Sequence, residues 1–393
     1  MPMVLAAIMG YLPHRTGKAM TAIPKPAVPY DNRYEVEEEG EQDSKAQLLH
    51  TLHGISATTY KDSGHATRSV HAKSHGLLRG HLNVLDGLAP ELAQGIFGQP
   101  GRFDVVMRYS TIPGDILDDK VSTPRGLAIK LIGVPGAQLA SLDSDATGQD
   151  ATTQDFVLVN GPAFLAPTAK KFLGSLKLLA STTDKVPRLK QALSTVLQGA
   201  EKALEAVGGE SGALKSLGGH PETHVLGDTY YSQAPILYGQ YMAKVALAPV
   251  SPELAALKGA LVDLQDKPNG LRQAVVDFFA RHSATWEVRV QLCRNIGTMP
   301  LEDASVVWSE EESPYFAVAR ITALPQAGWS EALSRLVDDG MAFSPWHGVL
   351  AHRPLGSIMR VRKAAYQMSA RFRFERTGHA VKEPFNLDDW PAS

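Results

Sequence analysis

The sequence predicts an α+β fold: one large antiparallel β-barrel with inserted and flanking helices. Two observations lead to this prediction. Several segments alternate apolar and polar residues with the period of two that is typical of strands facing a core. Between them lie segments in which apolar residues recur every three or four positions, as on an amphipathic helix. The chain of 393 residues shows no internal repeat, and we expect the barrel domain to span residues 61–393.

Residues 1–60 are predicted to form an N-terminal arm. The stretch IPKPAVPYDNRYEVEEEGEQD contains three prolines followed by an acidic run, which is typical of extended, solvated chain. A free tail and a tail packed over the core are both compatible with this composition. The first residues hold a short apolar run that no Lys or Arg precedes and no clear cleavage site follows. They favour a disordered or docking arm over a signal peptide.

The first predicted strands are GRFDVVMRYST, TPRGLAIKLIG and TQDFVLVNGP. In the first, one face carries Phe103, Val105, Met107 and Tyr109, and the other carries Asp104, Val106, Arg108 and Ser110. We expect the face with Val106 to point inward. An inward Arg108 is costly unless an anion meets it, and both an internal acid and a ligand carboxylate would satisfy it.

A helical insertion is predicted at residues 168–215, where the period changes. KKFLGSLKLLAS is read as a short helix, and apolar residues from Leu189 to Val207 follow helical spacing up to a glycine pair. The strand signals then return. Further strands are predicted at PILYGQYMAKVALAP, TWEVRVQLC and SPYFAVARITAL, with short helices at SPELAALKGALVDLQ and GLRQAVVDFFARH.

Composition excludes several function classes. Lys and Arg total 39 against 41 Asp and Glu, a net charge of −2, which gives no global field for nucleic acid or a membrane surface. No apolar stretch approaches the roughly 20 residues of a membrane span. Cys293 is the only cysteine, so no intrachain disulfide can form. Scarce cysteine and the absence of a signal peptide predict a cytoplasmic location.

Histidines cluster in TRSVHAKSHG, where His71 and His75 are four residues apart and His81 follows. On a helix this spacing could hold a metal ion. Gly76 and Gly80 argue against a helix, and no third ligand lies at a recognised zinc spacing. Hydrogen-bonded histidines are therefore favoured over a metal site here.

A lone tyrosine lies in the basic segment RVRKAAYQ, where Arg362 precedes Tyr366 by four residues. On a helix the two side chains share one face, and a guanidinium beside a phenol lowers its pKa and favours phenolate. Phenolate suits ferric iron, and tyrosine is one of the proximal ligands of haem. The segment alone favours an exposed basic helix with an amphipathic tyrosine.

Taken together, five segments in chain order resemble the catalase superfamily over about residues 60–375. They are RSVHAK, RFDVVMRYSTIPGD, STPRGLAIKL, QDFVLVNGPAF and RVRKAAYQMSARFR. They resemble the distal histidine strand, the arginine–serine strand, the D-P-R-G-F-A-x-K block, the distal asparagine segment and the proximal R-x-x-x-Y segment. HRPLGSI and MPLEDASVVW are similar to the short catalase-related haem peroxidase branch.

The resemblance implies haem b, with its iron, in a catalase-like antiparallel barrel enclosing the haem. Tyr366 would be the proximal ligand, Arg362 would hold it as phenolate, and His71 would be the distal acid–base group. Ser110 would orient His71, and Asn160 would polarise the bound oxygen. The haem propionates would meet Arg68, Arg108 and Arg373.

The chain departs from the family pattern at two motifs. Thr123 stands where the D-P-R-G block has its aspartate. The family's N-N-T-P is replaced by VNGP, so that strict counting puts Val159 at the functional asparagine position and Asn160 one residue late. Since a shift of one residue turns a strand side chain to the opposite face, either the backbone adjusts locally or efficient dismutation is lost.

The resemblance implies a haem-dependent peroxidase that reduces hydrogen peroxide or organic hydroperoxides with an external electron donor. The chain ends soon after Tyr366, and loss of the C-terminal parts of longer catalases is expected to widen the channel and favour peroxidase chemistry. Weak catalase activity is compatible with the same site. Two alternatives stay open: an enzyme rearranging fatty-acid hydroperoxides, like allene oxide synthase or hydroperoxide lyase, and a non-catalytic haem- or lipid-binding barrel. A homodimer is the working expectation for the assembly.

Overall fold

The computed structural model describes residues 25–121, 123–139, 152–182, 221–378, 383–384 and 386–391. Nine strands of these residues form one antiparallel sheet in the order β5-β4-β3-β2-β1-β9-β8-β7-β6. They are β1 Ser74–Val84, β2 Arg102–Thr111, β3 Arg125–Ile132, β4 Thr153–Val159, β5 Tyr230–Tyr231, β6 Ile236–Tyr238, β7 Tyr241–Pro249, β8 Ala284–Leu292 and β9 Phe316–Ala323. Since β5 pairs with both β4 and β7, eight strands close into a barrel. The predicted α+β barrel is confirmed.

Apolar side chains fill the interior of the barrel. Val105, Met107 and Tyr109 of β2 lie in one buried cluster with Val288 and Trp286 of β8, on the opposite side of the barrel. The burial of such side chains stabilises a fold by roughly 25 cal/mol per Å² of apolar surface. The face of β2 that carries Val106 lies outside this interior cluster.

The opposite face of β2 points out of the barrel toward a second layer. Val106 packs there with Leu77 against Val337 and Phe343 of a downstream segment. The alternation along β2 is as predicted, but the assignment of the Val106 face to the interior is wrong. Both faces of this strand are buried, so its sequence pattern does not indicate which one faces the barrel axis.

Six α-helices are found among the described residues. They are α1 Glu41–Ser63, α2 Ala169–Thr182, α3 Pro252–Ala255, α4 Gly270–Phe279, α5 Glu331–Ser334 and α6 Ser357–Thr377. The short helix predicted in the insertion is confirmed as α2, whereas the longer one from Leu189 to Val207 lies outside the described residues. None of these helices is long and apolar enough to cross a membrane.

The helix α1 corrects the expectation of an extended arm over residues 1–60. It begins after Gly40 and ends at Gly64, both in the left-handed region at φ +77° and +68°. Leu48 and Ile55 of α1 pack against Val361 of α6. This segment is therefore part of the layer that covers the barrel.

Ion pairs fix the beginning of α6. The Arg360 guanidinium donates to both Glu41 and Glu302, with nitrogen–oxygen distances of 2.6 and 2.8 Å. The Glu302 carboxylate also accepts from the Ser357 backbone amide at 2.8 Å, where a carboxylate complements the helix dipole. Arg353 donates to Glu35 at 2.7 Å. The N-terminal segment and α1 thus determine where α6 lies over the barrel wall.

One predicted strand proves to be a hairpin. The segment PILYGQYMAKVALAP folds as β6 and β7, with Tyr238 paired to Tyr241 across a two-residue turn. Gly239 has φ +60° there, a conformation that glycine adopts without steric cost. The turn brings β6 onto the outer edge of the closed barrel.

Candidate active site

His71 lies in the loop before β1 rather than on a strand as the motif suggested. Its φ is +57°, which is uncommon for a residue with a side chain, and its amide donates to Ile112 O at 2.6 Å. The ring nitrogen Nδ1 is 3.1 Å from Ser110 Oγ. The end of β2 therefore holds both the backbone and the ring of His71, and the predicted His71–Ser110 pair is present.

The His71 ring lies directly over Gly126 of β3. A Cβ atom at position 126 would come within 2.5 Å of ring atoms Cε1 and Nδ1 of His71 and 3.1 Å of Ser110 Oγ. Only glycine leaves this space open without displacing the ring. The position of the His71 ring thus explains why the PRG motif has glycine at position 126 in this chain.

Substituting Gly126→Ala is expected to lower the free energy of unfolding by about 1–3 kcal/mol, the usual cost of overpacking. The matched control is Gly174→Ala on α2, where an added Cβ meets nothing within 4 Å and a gain of about 0.5–1 kcal/mol is expected. Urea denaturation of both variants checks the prediction. Equal shifts for the two variants would show that the ring of His71 does not require this space.

The surroundings of His71 keep its imidazole neutral. Burial, together with the positive charges of Arg108, Arg362 and Arg68, lowers the pKa of His71 to about 3. At neutral pH the ring is therefore able to accept a proton. Arg362 of α6 therefore contributes to the electrostatic environment of His71.

One turn is contacted by all three arginines that were predicted to meet the haem propionates, Arg68, Arg108 and Arg373. This turn, Arg335–Asp339, has π-helical hydrogen bonding and follows α5; we call it the Asp338 turn. Arg68 Nη1 and Arg373 Nη1 donate to the Asp338 backbone carbonyl at 2.8 and 2.6 Å. Both also reach the Met341 carbonyl, at 3.0 and 3.2 Å. We refer to the three side chains as the arginine cluster.

The anion that meets Arg108 is an internal acid. Arg108 Nε donates to Asp338 Oδ1 at 2.6 Å, and Ser74 and Ser334 donate to Asp338 Oδ2 at 2.7 and 2.8 Å. Burial by itself raises the pKa of Asp338. The charges of Arg108 and Arg68, together with the hydrogen bonds, outweigh burial, so the pKa lies below its usual value. The carboxylate is therefore ionised at neutral pH.

Tyr366 and Arg362 share one face of α6, as predicted. Arg362 Nη2 donates to Tyr366 Oη at 2.7 Å. A cleft with about 200 Å³ of empty volume adjoins Tyr366. It is lined by Ala342, Phe343, Ser344, His347, Tyr366, Gln367 and Ala370. Because this 200 Å³ includes space open to solvent and ligand pockets commonly measure about 300–1,000 Å³, a ligand of cofactor size requires this cleft to widen.

Asn160 lies in a separate group of residues just after β4. Its Oδ1 accepts from the Arg125 amide at 2.9 Å, and its Nδ2 donates to Asp228 at 3.1 Å. Arg125 Nη1 donates to the same carboxylate at 2.9 Å. Its hydrogen bonds among the described residues thus join strand ends and do not extend to His71 or Ser110.

The remaining histidines of the first motif have separate partners, in agreement with the favoured interpretation. His75 Nε2 is 3.2 Å from Thr111 Oγ1, and His81 Nδ1 is 2.9 Å from Asp104. They do not converge on a shared site.

Sequence reasoning missed two groups next to the site. One is Asp338, for which the acidic pair in LVDDGM is the only signal. The other is a partly buried cluster of Asp155, His347 and Glu383, whose ligand atoms lie within 4.8 Å of one another. An ammonium already lies among them, because Lys130 Nζ donates to Asp155 Oδ1 at 2.7 Å and to Glu383. This cluster is therefore an ion-pair network.

Comparison with solved structures gives consistent matches. A fungal catalase superposes with a TM-score of 0.57 at 17% identity, over 82% of this chain and 62% of the other. Catalase A from Saccharomyces cerevisiae gives 0.55 at 17% identity, over 89% and 68%. A bacterial catalase gives 0.53 at 15% identity, over 81% and 59%.

The chain has the catalase fold. It spans 62% of the length of the fungal catalase that it matches, and no protein-family model or curated protein sequence matches it. Within the catalase fold, the residues singled out from the sequence form three groups. These are the His71–Ser110 pair, the arginine cluster and the Arg362–Tyr366 pair, whereas the side chain of Asn160 is hydrogen-bonded to Arg125 and Asp228.

Proposed function

We propose that the protein is a haem-dependent peroxidase that reduces hydrogen peroxide or organic hydroperoxides with an external electron donor. The observation that carries the proposal is the hydrogen bond from Arg362 to Tyr366 at 2.7 Å on α6 of a catalase fold. Tyrosine is one of the side chains that bind haem iron, and this hydrogen bond fixes the position of the Tyr366 oxygen.

The donor set fits haem b. Tyr366 would bind the iron, and the arginine cluster would bind the two propionates. Three guanidinium groups face one enclosed carboxylate, that of Asp338, so positive charge is in excess. Arg373 Nε is moreover buried without a hydrogen-bond partner, and such a group is costly unless an acceptor is supplied. An anionic ligand would satisfy both requirements.

Haem bound in this position would supply the redox chemistry needed to cleave an O–O bond. The overall reaction takes two electrons from the donor and two protons, and converts a hydroperoxide to an alcohol and water. His71 would accept the peroxide proton at Nε2 and return it to the leaving oxygen. The Ser110 hydroxyl has one proton, which it can donate to the Gly126 carbonyl 3.5 Å away. We therefore assign Nδ1–H of His71 as donor to Ser110 Oγ, which leaves Nε2 free to act as the base.

The proposal is tested by incubating haem-loaded protein with hydrogen peroxide or cumene hydroperoxide, with and without a reducing dye. We expect peroxide consumption that depends on the dye, with little oxygen evolution. Oxygen release without dye would indicate dismutation, and organic products without dye would indicate rearrangement; both outcomes would contradict the proposal. Tyr366→Phe is the control variant, and it should lose the tyrosinate-type haem spectrum.

A further inference from the structure

The arginine cluster already holds a carboxylate that belongs to the protein. Asp338 receives hydrogen bonds from Arg108, Ser74 and Ser334 at 2.6–2.8 Å, and Arg68 Nη1 lies 3.5 Å from Asp338 Oδ1. Charge-assisted hydrogen bonds of this length are among the stronger polar contacts in proteins. Asp338 thus acts on the cluster as the carboxylate of a ligand would.

One carboxylate does not neutralise the cluster. The mutual repulsion of the guanidinium groups adds to burial in lowering the pKa of Arg373 to about 10, and in lowering that of Arg68. The charge of the neighbouring acid, Asp339, offsets part of this repulsion at Arg68 and Arg373, but its carboxylate is paired with His65, 2.9 Å from Nε2. The cluster therefore has capacity for further anionic groups, and the unpartnered Nε of Arg373 is one place for them.

We propose that Asp338 is a resident counter-ion that competes with ligand carboxylates for the arginine cluster, and so sets how tightly the site binds a dicarboxylate. The inference rests on the proposed function only for the identity of that ligand, haem with its two propionates. Asp338 stabilises the ligand-free protein because it separates three like charges. By the same contacts it reduces the attraction of the cluster for an incoming anion.

The matched substitutions Asp338→Asn and Asp339→Asn provide the test. Each removes one acidic charge from the same turn, but only the first removes a carboxylate from the cluster. Binding is measured on the full ligand-free chain by quenching of tryptophan fluorescence, with metal-free protoporphyrin IX and with its dimethyl ester. The ester has the same ring and lacks the charges of the two carboxylates.

We expect Asp338→Asn to bind protoporphyrin IX about tenfold more tightly than the native chain, which corresponds to about 1.4 kcal/mol. Binding of the dimethyl ester should not change, and Asp339→Asn should gain less affinity for protoporphyrin IX than Asp338→Asn, because only Asp338 is hydrogen-bonded to the cluster. The inference is overturned if Asp338→Asn binds the dicarboxylate no more tightly than Asp339→Asn, or if the ester gains equally. A purely structural role for Asp338 would lower stability without this difference.

If Asp338→Asn does not fold, Ser334→Ala provides the second test. It removes one hydroxyl donor to Asp338 Oδ2 and leaves every charge in place. A gain of roughly threefold in affinity for protoporphyrin IX is expected because the competing carboxylate is held less firmly; the absence of any gain would refute the inference.

The outcome is independent of iron ligation. Metal-free porphyrin has no iron to be bound by Tyr366, so the comparison of Asp338→Asn with Asp339→Asn does not depend on the proximal ligand. Failure of peroxide reduction would refute the proposed function and leave the competition by Asp338 in place.

Discussion

Replacing Lys130 with methionine is expected to lower the free energy of unfolding by about 3–5 kcal/mol, the cost of breaking a buried ion pair by removing one partner. Lys130 and Asp155 are cross-strand partners on β3 and β4, and both side chains are 0% exposed. Lys130 also pairs with Glu383. Methionine fills similar space but leaves two carboxylates without their cation.

The direction of the Lys130 pKa shift supports this expectation. Burial by itself would lower the pKa of Lys130, but the charges of Asp155 and Glu383 outweigh it and the pKa is raised. The ammonium is therefore stabilised by its partners in the folded state. Loss of that ammonium leaves Asp155 with the Ser344 amide, 2.9 Å from Oδ2, as a remaining donor.

Lys244 is the matched control, because it is equally buried but lacks a carboxylate within ion-pair distance among the described residues. Its Nζ donates to the Val306 carbonyl at 2.9 Å and lies 5.1 Å from the centre of the Trp308 ring. Burial lowers its pKa to about 8, and Asp303 offsets this only in part. Lys244→Met should therefore cost less than about 1.5 kcal/mol.

Urea denaturation of both variants and of Lys130→Met combined with Asp155→Leu measures the effect. The double variant should recover part of the loss, since it removes the uncompensated charge together with its partner. Similar losses for Lys130→Met and Lys244→Met would contradict the assignment of the effect to the ion pair. They would indicate a cost common to any buried lysine.

The local parts of this site could be predicted from the sequence, because they depend on spacing along the chain. The alternation along β2 placed Arg108 and Ser110 on one face, and the spacing of four placed Arg362 and Tyr366 on one helical face. Both arrangements are present in the structure. The pairing of His71 with Ser110 depended on the resemblance to catalases, since 39 residues separate them.

Long-range partners could not be predicted, because they depend on how distant segments pack. Asp338 is 230 residues from Arg108, and the chain offers many other acids that could have met this guanidinium. Glu383 is similarly 253 residues from Lys130. The prediction that the Arg108 face of β2 points inward was wrong because both faces of this strand are buried. An alternation with a period of two does not show which of two buried faces points to the barrel interior.

The helix α1 was missed for a different reason. The acidic run and prolines before it indicated solvated chain, and the helix itself is mostly polar, with a narrow buried face that includes Leu48 and Ile55. Its stability comes from packing against α2 and α6 rather than from its own pattern. The one-residue displacement of Asn160, by contrast, was visible in VNGP, and the structure gives its amide other partners.

Replacing His71 with glutamine is expected to reduce the rate of peroxide reduction by haem-loaded protein by roughly 10²–10⁴-fold, the usual contribution of a general acid–base group. Glutamine can hydrogen-bond to Ser110, but it cannot take up a proton. Because the substitution lies on the barrel side and Tyr366 on α6, the tyrosinate-type haem spectrum should be unchanged. Loss of rate with an intact spectrum would separate acid–base chemistry from cofactor loading.

His81→Gln is the control, since the His81 ring pairs with Asp104 at a position where the two side chains are 39% and 45% exposed. It should react at the native rate. The ratio of native to His71→Gln rates should also be constant between pH 5 and 8, because a group with a pKa of about 3 is neutral throughout that range. The pKa shift of His71 is downward because burial and the neighbouring guanidinium groups oppose protonation of the ring. A ratio that falls below pH 7 would mean that His71 titrates near its ordinary pKa, and that the charges of Arg108 and Arg362 are screened from it in the loaded protein.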